Sequence, residues 1–187
     1  VSTISSISKV CPHFHLSLQS GCNETLKRMN RRYSAEEYYE KCVLLRTYFD
    51  DPALTTDVIV GFPGETEEEF EMTKAFLEKV AFFETHIFKY SRRKGTRAAS
   101  MEHQVPEEIK TVRSHVLFEL NEKNREAYIR RMIGKKAEVL FEEAAEKNGV
   151  LCFTGHTKEY VRVCIPSGGE DWSNKIYDCI LEESDVQ

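Results

Sequence analysis

Apolar positions along this chain switch between a period of two and a period near 3.6, and the switches mark out its elements. Residues 13–19 alternate strictly, with Phe14, Leu16 and Leu18 on one side and His13, His15, Ser17 and Gln19 on the other, as in a β-strand. Residues 55–60 form a short β-branched apolar run that reads as a buried strand, and residues 82–90 read as a third. The opening stretch, residues 2–7, is rich in Ser and β-branched types and reads as a further short strand. Between these runs lie helical patterns. Asn23 stands where it can cap a helix over 24–29, Ser34 with Glu37 forms a capping box for a helix to about 49, and Thr66 with Glu69 forms another for a helix over 67–81. The Asp50-Asp51-Pro52 run closes the second of these, because the residue before proline avoids helical geometry. Pro106 opens a long helix over 106–132, with Ile109, Val112, Val116, Leu117 and Leu120 as its apolar stripe. Gly134 ends that pattern. Short strands at 136–143, 150–155, 159–165 and 175–182 then predict a small all-β barrel.

The unit that organises the first part is Thr56-Asp57-Val58-Ile59-Val60-Gly61-Phe62-Pro63-Gly64-Glu65-Thr66. It is a strand, a tight turn and a helix start, the unit that builds parallel α/β sheets and barrels, in which ligands bind where the strands end. Gly61 and Gly64 allow close approach of backbone to a ligand, or serve only the turn. The polar side of 13–19 adds to this. A helix-covered parallel strand is normally apolar on both faces, so His13, His15, Ser17 and Gln19 predict either a polar ligand cavity with satisfied histidines or the wet face of an edge strand.

Charge alters the picture locally, not globally. With 26 basic and 31 acidic residues, a net charge of −5 gives no overall nucleic-acid signal. Two cationic segments nevertheless follow strand ends: Lys27, Arg28, Arg31 and Arg32, and then Arg92, Arg93, Lys94 and Arg97. In an α/β barrel both would lie on one face, the footprint of a polyanion. From residue 131 onward seven Lys and Arg meet eleven Asp and Glu, so only Lys158, Tyr160 and Arg162 offer a basic and aromatic set for RNA there. The six cysteines are scattered, with neither CxxC nor zinc spacing, and most read as small buried hydrophobes of a cytoplasmic protein. No run is apolar over a membrane's width, so no membrane partner is expected. A first residue that is Val rather than Met reads as part of a longer chain.

At this point several stretches together resemble the radical S-adenosylmethionine methylthiotransferases. They are His15-Leu16-Ser17-Leu18-Gln19-Ser20-Gly21-Cys22, Leu26-Lys27-Arg28-Met29-Asn30-Arg31-Arg32-Tyr33, the 56–66 unit, and Tyr90-Ser91-x-Arg93-x-Gly95-Thr96-x-Ala98. Their wording is most similar to the subfamily acting on threonylcarbamoyladenosine in tRNA, and less to those acting on isopentenyladenosine tRNA or a ribosomal protein. Gly155-His156-Thr157-x-x-Tyr160-Val161-x-Val163 resembles the TRAM module. The resemblance implies an α/β fold: residues 1–132 as the C-terminal half of a partial TIM-like radical S-adenosylmethionine barrel, and 133–187 as a TRAM RNA-binding β-barrel. It implies a transferase that methylthiolates C2 of N6-threonylcarbamoyladenosine beside the anticodon, using S-adenosylmethionine, two [4Fe–4S] clusters and an electron donor.

Ser17, Gln19, Asp57, Ile59, Gly61, Phe62 and Tyr90 would face S-adenosylmethionine, while the two cationic segments, with Lys158, Tyr160 and Arg162, would meet the tRNA anticodon stem-loop. The sequence departs from the family in two ways. No CxxxCxxC exists, so the chain by itself is expected to be inactive, and few residues separate Ile7 from the Cys11 strand, where the family has a helix. A tRNA-binding module without chemistry is the rival reading. Three βα units cannot close a barrel, so self-association through the open sheet edge is also expected.

Overall fold

The computed structural model describes residues 1–147 and 149–186. The chain divides into two units, the first made of Val1–Ile7 and Phe14–Arg125, the second of Ser8–His13 and the residues from Glu126 onward. It is a mixed α/β protein with one parallel and one separate antiparallel sheet.

The first unit has a three-stranded sheet, β1 (His13–His15), β2 (Ala53–Val60) and β3 (Glu84–Lys89), in that order. β2 and β3 are parallel, with Asp57 opposite His86 and Val60 opposite Lys89. The alternating run beside β2 is shorter as a strand than its pattern predicts. Leu16 N donates to Thr55 O at 3.0 Å and Gln19 N to Asp57 O at 2.8 Å, but Leu18 N donates to the Thr56 hydroxyl instead, at 3.0 Å. The Tyr38 hydroxyl donates to Leu16 O at 2.6 Å, so side chains complete the ladder where Gln19 turns into the left-handed region at φ 72°. The alternation itself holds: Leu18 is fully buried, and Phe14 and Leu16 pack on the core.

Among the described residues the longer helices that follow are α2 (Asn23–Arg28), α3 (Ala35–Tyr48), α4 (Glu67–Val80) and the long α5 (Glu107–Met132), with α3, α4 and Leu117 of α5 contributing to the core. Both predicted capping boxes form, at Ser34 with Glu37 and at Thr66 with Glu69. The core joins Tyr38, Cys42 and Leu45 of α3 and Phe70, Leu77 and Val80 of α4 to Leu54, Val58 and Val60 of β2.

Three expectations are corrected. Residues 2–7 are not a strand: Ser2–Ser5 is a short helix, α1, whose Ser5 hydroxyl donates to Ser2 O at 2.9 Å, with Ser6 donating likewise to Thr3 O. Serine can satisfy backbone acceptors locally in this way, so its presence did not require a sheet partner. Asn23 does not cap its own helix, whose N-cap is Cys22. Its side chain accepts from Ala35 N at 2.8 Å and donates to Glu36 at 2.9 Å, tying α2 to the start of α3. The α5 stripe holds only in part: Leu117 is buried and Val116 and Leu120 pack on the core, but Ile109 and Val112 are exposed at 42% and 64%, while the polar Arg113, Ser114 and Asn121 are buried.

The second unit is an antiparallel sheet ordered β6 (Arg162–Pro166), β5 (Val150–Thr157), β4 (Lys136–Lys147), β7 (Lys175–Ile180). β4 carries an irregularity between Phe141 and Glu143, and beyond β6 Val163 bridges Val186. Val139, Phe141, Phe153 and Val163 are buried here, and Trp172 lies 4.9 Å from Phe141.

Candidate ligand cavity and cationic surface

Where the parallel strands end, a cavity of about 560 Å³ opens. Among its lining residues are Gln19, Asp57, Ile59, Phe88, Tyr90 and Arg93. Parallel strands put side chains at successive strand ends on one side, which is why residues so far apart in sequence meet here. Four of the seven residues expected to face a cofactor, Gln19, Asp57, Ile59 and Tyr90, therefore share one wall. Ser17 sits one step back, its hydroxyl donating to Asp57 Oδ2 at 2.9 Å. Phe62 is buried and meets the Tyr90 ring edge-on at 5.3 Å. Tyr90 carries a buried hydroxyl without a hydrogen-bond partner, a group of the kind that a bound molecule satisfies.

The turn beside the cavity is held from behind by α5. Gly61 N donates to Glu65 Oε2 at 2.6 Å, and Arg113 Nη1 donates to the same oxygen at 2.7 Å. Arg113 also donates to Glu67 at 3.0 Å and lies over the Phe70 ring. Burial pushes the Glu65 carboxyl upward from its ordinary pKa, opposed by the Gly61 amide and Arg113. Lys110 donates to Tyr90 O at 3.0 Å, and Asn121 accepts from Thr85 N at 2.6 Å. None of Glu65, Lys110, Arg113 or Asn121 stands out in a hydrophobicity pattern. The available signal is the spacing of four that aligns Arg113, Leu117 and Asn121 on one face.

The cationic residues divide by use. Lys27, Arg31 and Arg32 line one shallow exposed depression, and Arg92, Lys94 and Arg97 line another of about 620 Å³ with Gly95 and Thr96. Arg92 Nε donates to Ala99 O at 2.7 Å and so shapes its own loop. Arg28 departs from the set. Its guanidinium pairs with both oxygens of Glu69 and donates to Pro63 O at 3.2 Å, so it holds the turn and is not presented to solvent as its neighbours are.

In the second unit Lys158 pairs with Glu138 at 3.1 Å, and Arg162 is exposed on β6. Tyr160 stacks on His156 at 4.5 Å and on His13 at 5.0 Å, beside a cavity of about 690 Å³. His15 lies beside Asp57 on the polar face of the sheet. His156 is a neighbour of Tyr160 that the sequence pattern alone does not single out.

No helix among the described residues is long and apolar enough to cross a membrane. Residues 4–77 match the sequence profile of the family described as the radical SAM superfamily. The chain is 43% identical over 157 residues to the tRNA-2-methylthio-N(6)-dimethylallyladenosine synthase of Caldicellulosiruptor saccharolyticus, covering 84% of this chain and 33% of that protein. It is 41% identical over 169 residues to the threonylcarbamoyladenosine tRNA methylthiotransferase MtaB of Bacillus subtilis, covering 90% of this chain and 37% of that protein. With the protein of that name from Thermotoga maritima the identity is 44% over 154 residues, covering 82% of this chain and 35% of the relative. The chain therefore spans about a third of the length of the curated relatives it matches.

Proposed function

We propose, from the premise that this chain belongs to the radical S-adenosylmethionine methylthiotransferases, that it is the C-terminal part of an enzyme that methylthiolates C2 of N6-threonylcarbamoyladenosine beside the tRNA anticodon. In this reading residues 1–132 complete the radical S-adenosylmethionine barrel of the parent, and 133–187 are its TRAM module. The observation that carries the reading is the single cavity at the strand ends that Gln19, Asp57, Ile59 and Tyr90 line together with the cation Arg93.

The residues of the cavity fit S-adenosylmethionine. The orphaned Tyr90 hydroxyl and the Gln19 amide can hydrogen-bond its polar groups, Asp57 can accept from its hydroxyls or amine, and Ile59 offers an apolar surface. Bound beside a [4Fe–4S] cluster, S-adenosylmethionine supplies the radical chemistry of the family. The clusters themselves do not fit here. The sequence has no CxxxCxxC, and among the described residues the only close group of metal-ligating side chains, His15, Asp57 and His86, holds no cysteine. This chain by itself is therefore inactive, and its share of the reaction is to bind and orient. Glu65 and Arg113 fix the Gly61 turn, Lys110 holds the Tyr90 carbonyl, and Arg93 stands where an anionic group of the substrate would enter.

Lys27, Arg31, Arg32, Arg92, Lys94 and Arg97 contact tRNA phosphates. Binding of the chain to tRNA carrying threonylcarbamoyladenosine, measured against salt and against unmodified transcript, tests this. Affinity that falls steeply with salt and favours the modified tRNA is expected. Absence of binding at low salt would sink the reading. The second reading is dimethylallyladenosine as the substrate nucleoside, favoured by relatives of that name that align at comparable identity; preference for that tRNA in the same assay would select it.

A further inference from the structure

The polar face of the parallel sheet carries a cluster that the cavity reading uses only in part. His15 of β1, Asp57 of β2 and His86 of β3 stand side by side on three neighbouring strands, with Asp57 and His86 opposite one another in register. One ligating atom from each lies within 4.8 Å of the others. The His15 and His86 rings are 5.7 Å apart. His15 Nε2 is 3.2 Å from Asp57 Oδ2, and its Nδ1 is 3.0 Å from the buried hydroxyl of Thr55. Ser17 donates its hydroxyl to the same Asp57 oxygen at 2.9 Å. The His86 side chain makes no hydrogen bond to any described residue.

From this juxtaposition we infer that His15, Asp57 and His86 form a binding site for a divalent transition-metal ion, of the zinc, iron(II) or cobalt(II) class. Two imidazoles and one carboxylate are the donor set such ions take while keeping positions open. Metal-binding histidines are oriented by a second hydrogen bond on the other ring nitrogen, and ligating carboxylates are themselves hydrogen-bonded. Thr55 fills the first role for His15, and Ser17 fills the second for Asp57. In the tautomer whose Nδ1–H donates to Thr55, the Nε2 lone pair faces the Asp57 oxygen and is free to take a cation between them. Metal–nitrogen bonds of about 2.0–2.1 Å place tetrahedral ligands about 3.4 Å apart. Rotation of the exposed, unbonded His86 ring closes the difference. An ion here would sit at the Asp57 wall of the cavity, with its open positions available to an oxygen or nitrogen of a bound molecule. The donors are two imidazoles and a carboxylate, not the thiolates that hold a four-iron cluster, so the inference does not rest on the family's chemistry.

The test is a cobalt(II) titration of the 187-residue chain carrying Cys11→Ser, which removes its exposed thiol. One cobalt per chain is expected, with visible absorption and no thiolate charge-transfer band. His86→Ala is expected to weaken uptake at least tenfold, and Ser17→Ala, which removes no ligand, about tenfold. Circular dichroism of each variant separates lost ligation from lost fold. Because His86 is exposed, its replacement leaves the fold intact. Cobalt bound as tightly by His86→Ala as by the parent, a thiolate band, or no uptake by the folded chain would each overturn the site.

Discussion

Glu69 has more partners than its place in a helix pattern requires. As the third residue of α4 it completes the capping box with Thr66, and its carboxylate also receives Arg28 of α2 and the Thr25 hydroxyl at 3.2 Å. One side chain thus ties α2, the Pro63 turn and the start of α4. Burial would raise its pKa, but Arg28, the Thr66 amide and Thr25 together outweigh burial and hold the carboxyl below its ordinary 4.5. A carboxyl that gives up its proton more readily folded than unfolded stabilises the fold fully above that ordinary value, and the contribution fades as pH falls through the lowered one. Glu69→Gln is therefore expected to cost about 1–3 kcal/mol at neutral pH and progressively less in acid, measured by urea unfolding. A deficit that stays constant with pH would contradict the assignment. Two glycines make a sharper comparison. A Cβ on Gly61 would lie 2.3 Å from Lys110 Cγ, at φ +72°, whereas on Gly155 it would lie 2.2 Å from the Leu140 carbonyl oxygen. A lysine stem can swing away and a strand backbone cannot. Gly61→Ala is expected to cost about 1–2 kcal/mol and Gly155→Ala more than about 2 kcal/mol in the same assay.

At the scale of elements, two helix starts were legible because capping boxes are local chemistry, whereas Asn23, drawn instead to Ala35 N and Glu36, does not cap α2. Ser34 with Glu37 and Thr66 with Glu69 needed nothing beyond three residues of sequence, and both boxes form. The far end of α4 was not legible in the same way. It stops at Ala81, which adopts the left-handed region at φ 51° where glycine is usual. Ala81→Gly is expected to raise stability by about 0.5–1 kcal/mol, read from the urea midpoint; an unchanged midpoint would mean that the strain is relieved elsewhere. The part of the α5 stripe that fails, Ile109 and Val112, has a different origin. Apolar residues were counted as the buried ones, yet the face against the sheet includes Arg113 and Asn121, whose hydrogen bonds to Glu65 and to Thr85 N exist only once β2, β3 and the turn are assembled. Polar residues that are satisfied by distant partners leave no periodic signal. The same limit applied to Arg28, which reads as one more cation until Glu69 is brought to it. The wall of the cavity was legible only in part: alternation sets Gln19 on the polar face of its strand, whereas Asp57, Ile59 and Tyr90 were singled out by the family resemblance.

Each of the two units has its own apolar interior, and the chain offers probes that distinguish them. Trp172 is the only tryptophan, and it belongs to the second unit, packed against Phe141 and Phe153 with Tyr177 at 5.1 Å. Helices α2, α3 and α4 all belong to the first. Tryptophan fluorescence therefore follows the antiparallel sheet, while the helical circular dichroism signal follows mainly the α/β unit. Small units with separate cores unfold as separate cooperative bodies unless a large apolar interface couples them. The first unit buries Leu18, Leu54, Val58, Leu77 and Phe82 in one cluster, and among the described residues none of the second unit's buried residues belongs to it. The two signals are thus expected to give different midpoints in urea, the helical one shifting with Glu69→Gln and the fluorescence one with Gly155→Ala. Superimposable curves that move together in both variants would show one cooperative body instead, with α5, which runs from one unit into the other, as the element that transmits the coupling.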